Sequence, residues 1–263
     1  MVRHNWSQEE IHILTENYPQ HTWEVLATYL PHIPKNTIRN KAKRLKLKKI
    51  RLQPTLDCLL ANTPESNYWM GFLLGDGSFI FSKKIVKLQI AEKDYNHLNI
   101  YSTFCGKGII KTQTICNGKY FPSNIVTISH KSKFDSLCGM YDIQANKTYN
   151  PPNLNNIQTE HYLPLFIGLI DADGYVHTRR NQYNTITIQS HKAWSEFYTH
   201  LIEKLNVIYN LNLRSTGNIY PSRPNIWTIT ICGNDCISLL NYAEELRLPL
   251  LTRKWSRLNI PKP

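Results

Sequence analysis

Two aspartates, Asp76 and Asp173, close two similar apolar stretches. One reads Trp69-Met70-Gly71-Phe72-Leu73-Leu74-Gly75-Asp76-Gly77, the other Phe166-Ile167-Gly168-Leu169-Ile170-Asp171-Ala172-Asp173-Gly174. Paired carboxylates are the hard oxygen donors that hold a divalent cation such as Mg²⁺, which keeps several of its own waters. Asp171 has Leu74 as its counterpart, so only Asp76 and Asp173 occupy equivalent places, 97 positions apart. An acid at the end of a short helix faces the negative pole of the helix dipole, at a cost of roughly 0.3–1 kcal/mol. Two such acids side by side repel, and the sequence therefore predicts a positive charge between them.

Small residues explain how the acids could meet. Gly71 and Gly75, like Gly168 and Ala172, are four apart and share a helix face, so two such helices can approach until their backbones touch. The glycine after each aspartate suits a left-handed helix terminus from which the chain turns straight into a strand. A duplication of this kind predicts two similar halves packed about a pseudo-twofold axis.

Gly168 to Gly174 match the last seven letters of the LAGLIDADG signature, and Gly71 to Gly77 form a looser copy. Over about residues 65–260 the chain resembles a single-chain LAGLIDADG homing endonuclease. The resemblance implies an α+β fold: two pseudo-symmetric αββαββα repeats forming a saddle-shaped antiparallel sheet, with the signature helices at the centre. It implies metal binding by Asp76 and Asp173 with the adjoining Gly75 and Ala172, using two or more Mg²⁺ ions for which Mn²⁺ would substitute. It also implies a catalytic Lys131 after the fourth strand of the first repeat, where the second repeat has Cys232 or Gly233. Glu92 and His191 fall just after the second strands, Glu92 departing from the Gln or Lys usual there.

The activity so implied is site-specific double-strand cleavage of a long asymmetric DNA target. Divalent-metal-dependent phosphodiester hydrolysis would leave 3′ overhangs. The gene would be intron-encoded or free-standing; an intein is disfavoured, since the chain starts at Met1 and lacks a terminal His-Asn. Two alternatives share the fold: a group I intron maturase with intron RNA as partner, and a non-catalytic DNA-binding transcriptional regulator. The duplicated core implies a monomer.

Elements beyond the signature repeat as well. Thr185-Ile186-Thr187-Ile188-Gln189 and Trp227-Thr228-Ile229-Thr230-Ile231 alternate with period two, which predicts half-buried strands with Ile186, Ile188, Trp227, Ile229 and Ile231 inward. The first repeat answers with residues 87–90 and 124–128. Helical stretches are expected near residues 95–104, 133–140, 193–205 and 235–246. On the polar faces, Lys87, Gln89, Thr185, Thr187, Gln189, Thr228 and Thr230, with Arg214, carry donors and acceptors suited to base edges in a major groove.

The net charge of +12 and pI of about 9.4 point to a polyanionic partner. Half of that charge lies in the first 53 residues, which hold ten Lys and Arg against four acids. There, Ser7-Gln8-Glu9-Glu10 is a capping-box pattern, with Ile11, Leu14 and Tyr18 at helical spacing. Trp23, Leu26, Ala27 and Leu30 form a second apolar face. Asn36 or Thr37 could cap a third helix, with Ile38, Ala42 and Leu45 inward and Lys35, Arg39, Asn40, Lys43 and Arg44 outward.

Three short helices around Trp6 and Trp23 resemble a Myb/SANT-like helix-turn-helix module, whose third helix would enter the major groove of double-stranded DNA. The alternative is a basic helical tail that touches phosphates alone. The expected division is thus a DNA-binding module over 1–47, a linker over 48–66 with Pro54 and Pro64 as helix breakers, and repeats over 67–152 and 153–263. Six cysteines, with no CxxC pair, point to reduced thiols and not to zinc. No apolar run reaches the ~18 residues of a membrane span, and no signal peptide precedes Trp6, so the expectation is a soluble intracellular protein (cytoplasm, nucleoid or organelle matrix) that is not secreted.

Overall fold

A computed structural model describes residues 4–19, 23–48, 54–116, 119–178, 183–217 and 222–259. The chain divides into two compact units, Met1–Leu52 and Gln53–Pro263. In the first, α1 (Gln8–Asn17), α2 (Trp23–Tyr29) and α3 (Lys35–Arg44) surround a small core of Leu14, Leu30, Ile33, Ile38 and Ala42. Trp6, Tyr18, Trp23 and Leu47 pack partly over it. The capping box forms: Glu10 N donates to Ser7 Oγ at 3.1 Å, and Ser7 N to Glu10 Oε2 at 2.8 Å.

Two details of this unit differ from the sequence reading. Neither Asn36 nor Thr37 caps α3: the helix starts at Lys35 behind Pro34, whose φ of −59° already suits helix entry, and both polar residues lie inside the first turn. Leu45 is the C-cap and is exposed, because the helix ends there and Leu47 turns inward in its place.

The second unit repeats one order of elements. After the short α4 (Asp57–Leu60) come α5 (Pro64–Gly75), β1 (Gly77–Ile80), β2 (Ile85–Ala91), α6 (Tyr95–Phe104), β3 (Ile110–Cys116), β4 (Lys119–Ser129) and α7 (Lys131–Met140). The second copy is α8 (Tyr162–Asp173), β5 (Gly174–Thr178), β6 (Asn184–His191), α9 (Ser195–Tyr209), β7 (Arg214–Gly217), β8 (Ile226–Cys232) and α10 (Asn234–Glu245), followed by α11 (Thr252–Trp255). Each repeat builds its own four-stranded antiparallel sheet, ordered β1-β2-β4-β3 and β5-β6-β8-β7. Period-two burial follows the alternation: Val86, Leu88 and Ile90 are buried on β2, as are Ile186 and Ile188 on β6 and Ile229 and Ile231 on β8. Trp227 is only half-buried.

The expected linker is shorter than 48–66. Residues 49–53 lie outside those described, but Leu56 and Leu59 are fully buried in the core of the larger unit, and Lys133 pairs with Asp57. Pro64 does not break a helix. It occupies the first turn of α5 behind a Thr63–Ser66 capping box, where its missing N–H is no loss. Among the described cysteines none is bridged; Cys58 Sγ lies 3.3 Å from Cys105 Sγ.

The centre of the larger unit is the contact between α5 and α8. A Cβ placed on Gly71 would fall 1.9 Å from the Leu165 carbonyl oxygen, and one on Gly168 would fall 2.0 Å from that of Tyr68. The two backbones therefore touch, and no side chain larger than hydrogen fits at either point. The glycines after the aspartates have a different reason from the one expected. Gly174 is extended (φ −74°, ψ 147°) and Gly77 has no positive φ, so neither is a left-handed terminus. A Cβ at either would lie 2.5 Å from a carbonyl in the last turn of the preceding helix, Leu73 O or Ile170 O.

Gly168→Ala is therefore expected to destabilise the protein by about 3 kcal/mol or more through overpacking against backbone. Gly139→Ala, near the end of α7 with open space around its would-be Cβ, should instead stabilise by about 0.5–1 kcal/mol. Equilibrium denaturation of the two variants checks both signs.

Candidate metal centre and nucleic-acid face

Because α5 and α8 touch at their glycines, their C-terminal ends are brought together. Asp76 is the C-cap of α5, and Asp173 is the last residue of α8. A Cβ on Gly75 would meet Ala172 Cβ at 2.4 Å and Asp173 Oδ2 at 3.0 Å, so the Asp173 carboxylate lies directly against the end of the partner helix. Both aspartates keep solvent access. The crowding of helix ends nonetheless strips water from Asp76 and, together with the neighbouring charge of Asp173, pushes its pKa up to about 7. Asp173 is raised for the first of these reasons. The repulsion falls on whichever carboxylate ionises second.

Positive charge does lie near the acids, not as an ion pair between them but as two lysines on the adjoining helix ends. Lys147 Nζ donates to the carbonyls of Leu74 and, at 2.7 Å, Gly75. Lys254 Nζ donates to Ile170 O at 3.1 Å and Ala172 O at 2.9 Å. Each lysine follows the last helix of its own repeat and caps the C-terminus of that repeat's signature helix, where the dipole favours a cation. Their electrostatic reach is crossed: among the lysines, Lys254 acts most on Asp76 and Lys147 most on Asp173. Burial lowers both lysine pKa values while the acids oppose the fall.

Neither lysine was singled out by motif. A usable signal existed, since Lys147 is the sole Lys or Arg between Met140 and Tyr162. The Gly75 and Ala172 carbonyls each accept from one lysine and keep a second lone pair, so the oxygens a hard cation can reach are the two carboxylates together with these carbonyls. No ion pair closes onto either acid among the described residues. Two mutually repelling carboxylates with a raised pKa fit a divalent ion, which would relieve the repulsion.

Asp171, set aside by the repeat comparison, is a buried anchor. Its carboxylate accepts from Tyr68 Oη and Trp255 Nε1, each at 2.6 Å, and from Leu251 N at 2.8 Å. Burial still raises its pKa to about 6. These bonds tie α8 to α5 and to the segment carrying Lys254. Arg253 adds a two-pronged pair with the buried Asp94 beside α6.

The remaining predicted site residues separate. His191 lines a cleft of about 270 Å³ together with Asp173, Lys147, Gln189 and Trp194. Its Nδ1 accepts from Ala193 N at 3.2 Å, and its ring stands edge-on to Tyr149. Glu92 is exposed and outside this cleft. Lys131 is misplaced by the family pattern. Ser129 pairs with Ile85, which pairs with Ile80 at the far end of β1, so Lys131 begins α7 more than about 13 Å along the strands from Asp76.

On the sheets, Lys87, Thr187 and Thr230 are half-buried, while Gln189 and Arg214 are exposed. Gln89 Nε2 donates to Ser123 Oγ at 2.9 Å. Thr185 and Thr228 are fully buried with unpartnered hydroxyls, and so are not open to a base edge as expected. Short side chains in the pleat are overlain by neighbours, Thr185 lying between His177 and Cys232 and Thr228 between Gln189 and the β7 backbone. In the first unit Lys35, Arg39, Asn40, Lys43 and Arg44 are all exposed on α3. Arg39, Asn40 and Lys43 share a groove with Tyr18, Trp23 and Asn36.

No protein-family profile and no curated protein matches the sequence. Among solved structures, the chain is similar to the homing endonuclease I-WcaI bound to its DNA recognition sequence, at 16% identity and a TM-score of 0.52 over 87% of this chain and 96% of that one. Mesophilic variants of the homing endonuclease I-DmoI align at 15% identity and a TM-score of 0.49, over 74% of this chain and 97% of that one. What the likeness to I-WcaI shows at this identity is the fold alone, which in this chain is mixed helices and two four-stranded antiparallel sheets.

The raised acids set a pH dependence with a defined sign. An acid whose pKa is higher folded than unfolded binds fewer protons when unfolded, so its folded-state penalty appears as pH rises from about 4, the unfolded aspartate value, towards 7. With divalent ions chelated, the thermal midpoint should fall over that range. Asp76→Asn should flatten the fall and raise the midpoint at pH 7, as measured by calorimetry in a chelating buffer.

Proposed function

We propose that this protein is a site-specific, divalent-metal-dependent double-strand DNA endonuclease of the LAGLIDADG homing type. The observation that carries the reading is the juxtaposition of Asp76 and Asp173 at the base of two touching helices, each flanked by a lysine and each beside a four-stranded sheet with a partly polar face. Asp76 and Asp173 would be the metal ligands, with Mg²⁺ the natural ion and Mn²⁺ a substitute. Such ions, when bound, activate water as nucleophile and stabilise the leaving 3′ oxygen of a cut strand.

The protein groups then have separate tasks. The carboxylates fix the position at which a scissile phosphate can be approached. Lys147 and Lys254 hold the two helix ends, offset the carboxylate charge, and lie where negative charge develops on a phosphate. His191, in the cleft with Asp173, can hold a water or donate to a phosphate oxygen. Thr187, Gln189, Thr230, Arg214, Lys87 and Gln89 are the candidates for base and phosphate contacts on the sheets. The basic face of α3 would add phosphate or base contacts from a second module, and a tethered second module raises effective concentration at a long site. Cleavage once on each strand with 3′ overhangs, and action as a monomer, follow from the family resemblance.

The paired acids favour this reading over a non-catalytic regulator, which has no use for two repelling carboxylates. Cleavage of a randomised-site plasmid library in Mg²⁺, with Ca²⁺ as the non-cleaving control, tests it. Discrete double-strand breaks are expected, reduced by roughly a thousandfold or more in Asp76→Asn and Asp173→Asn while DNA binding persists. In the same assay Arg39→Ala/Lys43→Ala should weaken binding and lower the slope of log affinity against log salt by about 2. Tight binding by wild type without any cut would remove the endonuclease assignment and bring forward the regulator or maturase.

A further inference from the structure

The first unit holds a cluster separate from the basic face of α3. His4 Nε2 lies 3.1 Å from Glu10 Oε2, and His32 Nε2 lies 2.6 Å from Glu10 Oε1. All three donor atoms fall within 4.8 Å of one another. The three residues come from different places: His4 from the segment ahead of α1, Glu10 from its first turn, and His32 from the turn between α2 and α3. The His4 ring is steadied edge-on against Trp6, with centroids 5.3 Å apart, and stands 6.0 Å from the His32 ring.

We propose that His4, Glu10 and His32 form a binding site for a borderline transition-metal ion, Zn²⁺ in the first place, completed by water. Two imidazoles and a carboxylate are a donor set that Zn²⁺ takes in tetrahedral geometry, with bonds of about 2.0–2.2 Å and hence donor separations near 3.3 Å. The existing N–O separations, 3.1 and 2.6 Å, lie below that value. A metal would open the His32–Glu10 contact most, and His32, with 59% of its side chain exposed, has room to move by that amount. Glu10 is already held in place, since Ser7 N donates to its Oε2 at 2.8 Å. A metal held at Nε2 of each neutral histidine would leave the ring proton on Nδ1, so the Nε2 contacts to Glu10 would give way to Nε2–metal bonds.

The fold gives such an ion a task. This unit is about 50 residues long and rests on a core of very few side chains. Domains of this size are marginal without a disulfide, a metal or a partner. An ion at this place would staple the chain entry and the turn that launches α3 to the start of α1, and so fix the basic helix. Nitrogen donors also separate this site from the all-oxygen Asp76–Asp173 centre, since imidazole suits Zn²⁺ or Co²⁺ and carboxylates suit Mg²⁺.

Full-length protein stripped of metal and titrated with Co²⁺ provides the test, because four-coordinate nitrogen–oxygen sites give strong visible bands and six-coordinate oxygen sites weak ones. One equivalent of strongly absorbing Co²⁺, displaced by Zn²⁺, is expected. Asp76→Asn should leave it intact, and His32→Ala should weaken it by roughly a hundredfold or more. Glu10→Gln, which keeps the capping-box hydrogen bonds, should also weaken it, and helical circular dichroism identifies any variant that fails to fold. Absence of the strong band, or its persistence in both His32→Ala and Glu10→Gln, would overturn the site and leave a pair of histidine–glutamate hydrogen bonds. Either result leaves the endonuclease reading untouched, since that rests on Asp76 and Asp173.

Discussion

Everything in the larger unit depends on the backbone contact between α5 and α8. Gly71 and Gly168 each face a carbonyl oxygen of the other helix at a distance that excludes a Cβ. Helices packed through ordinary side chains sit 8–10 Å apart, which would separate their ends and the acids they carry. The close crossing instead places Asp173 against the end of α5, and Gly75 and Ala172 are small for the same reason. Packing and chemistry thus impose one demand on the same residues.

That proximity carries an electrostatic penalty, which the chain meets from its periphery. Two acids at two helix C-termini are opposed by both helix dipoles and by each other. Lys147 and Lys254, each supplied by the segment that closes its repeat, answer both problems by bonding the terminal carbonyls and lying near both carboxylates. The lysines require anchors of their own. Trp194 Nε1 holds the carbonyls of Lys147 and Thr148, while Asp171 and the Arg253–Asp94 pair hold the chain on either side of Lys254. The centre is therefore charged but nearly balanced, a state from which a cation can bind by relieving the remaining acid–acid repulsion.

What the sequence makes legible is what repeats or alternates. The signature stretches declare themselves by duplication, and β2, β6 and β8 by period-two apolar residues, because burial on one face of a sheet leaves that mark. α6 falls on residues 95–104 as expected. β1 and β7 leave no such mark: each has four residues at a sheet edge. Lys147 lies in a connection with no period at all, so only its isolation among uncharged residues points to it. Lys131 was misread because order along the chain does not give the direction in which a strand end points, whereas the β1–β2–β4 register does. Asp171 carried a signal that the repeat comparison discarded: a lone acid inside an apolar helix must be paired wherever it is buried.

The central claim of the proposal is that the α5–α8 contact lets both carboxylates share at least one divalent cation. Anomalous diffraction from crystals of the protein with DNA and Mn²⁺ tests this most directly. The account predicts a peak within about 2.3 Å of one oxygen from each of Asp76 and Asp173, with Lys147 and Lys254 still on the helix carbonyls. Manganese bound by only one of these acids or elsewhere, with the carboxylates paired to lysines, would contradict it.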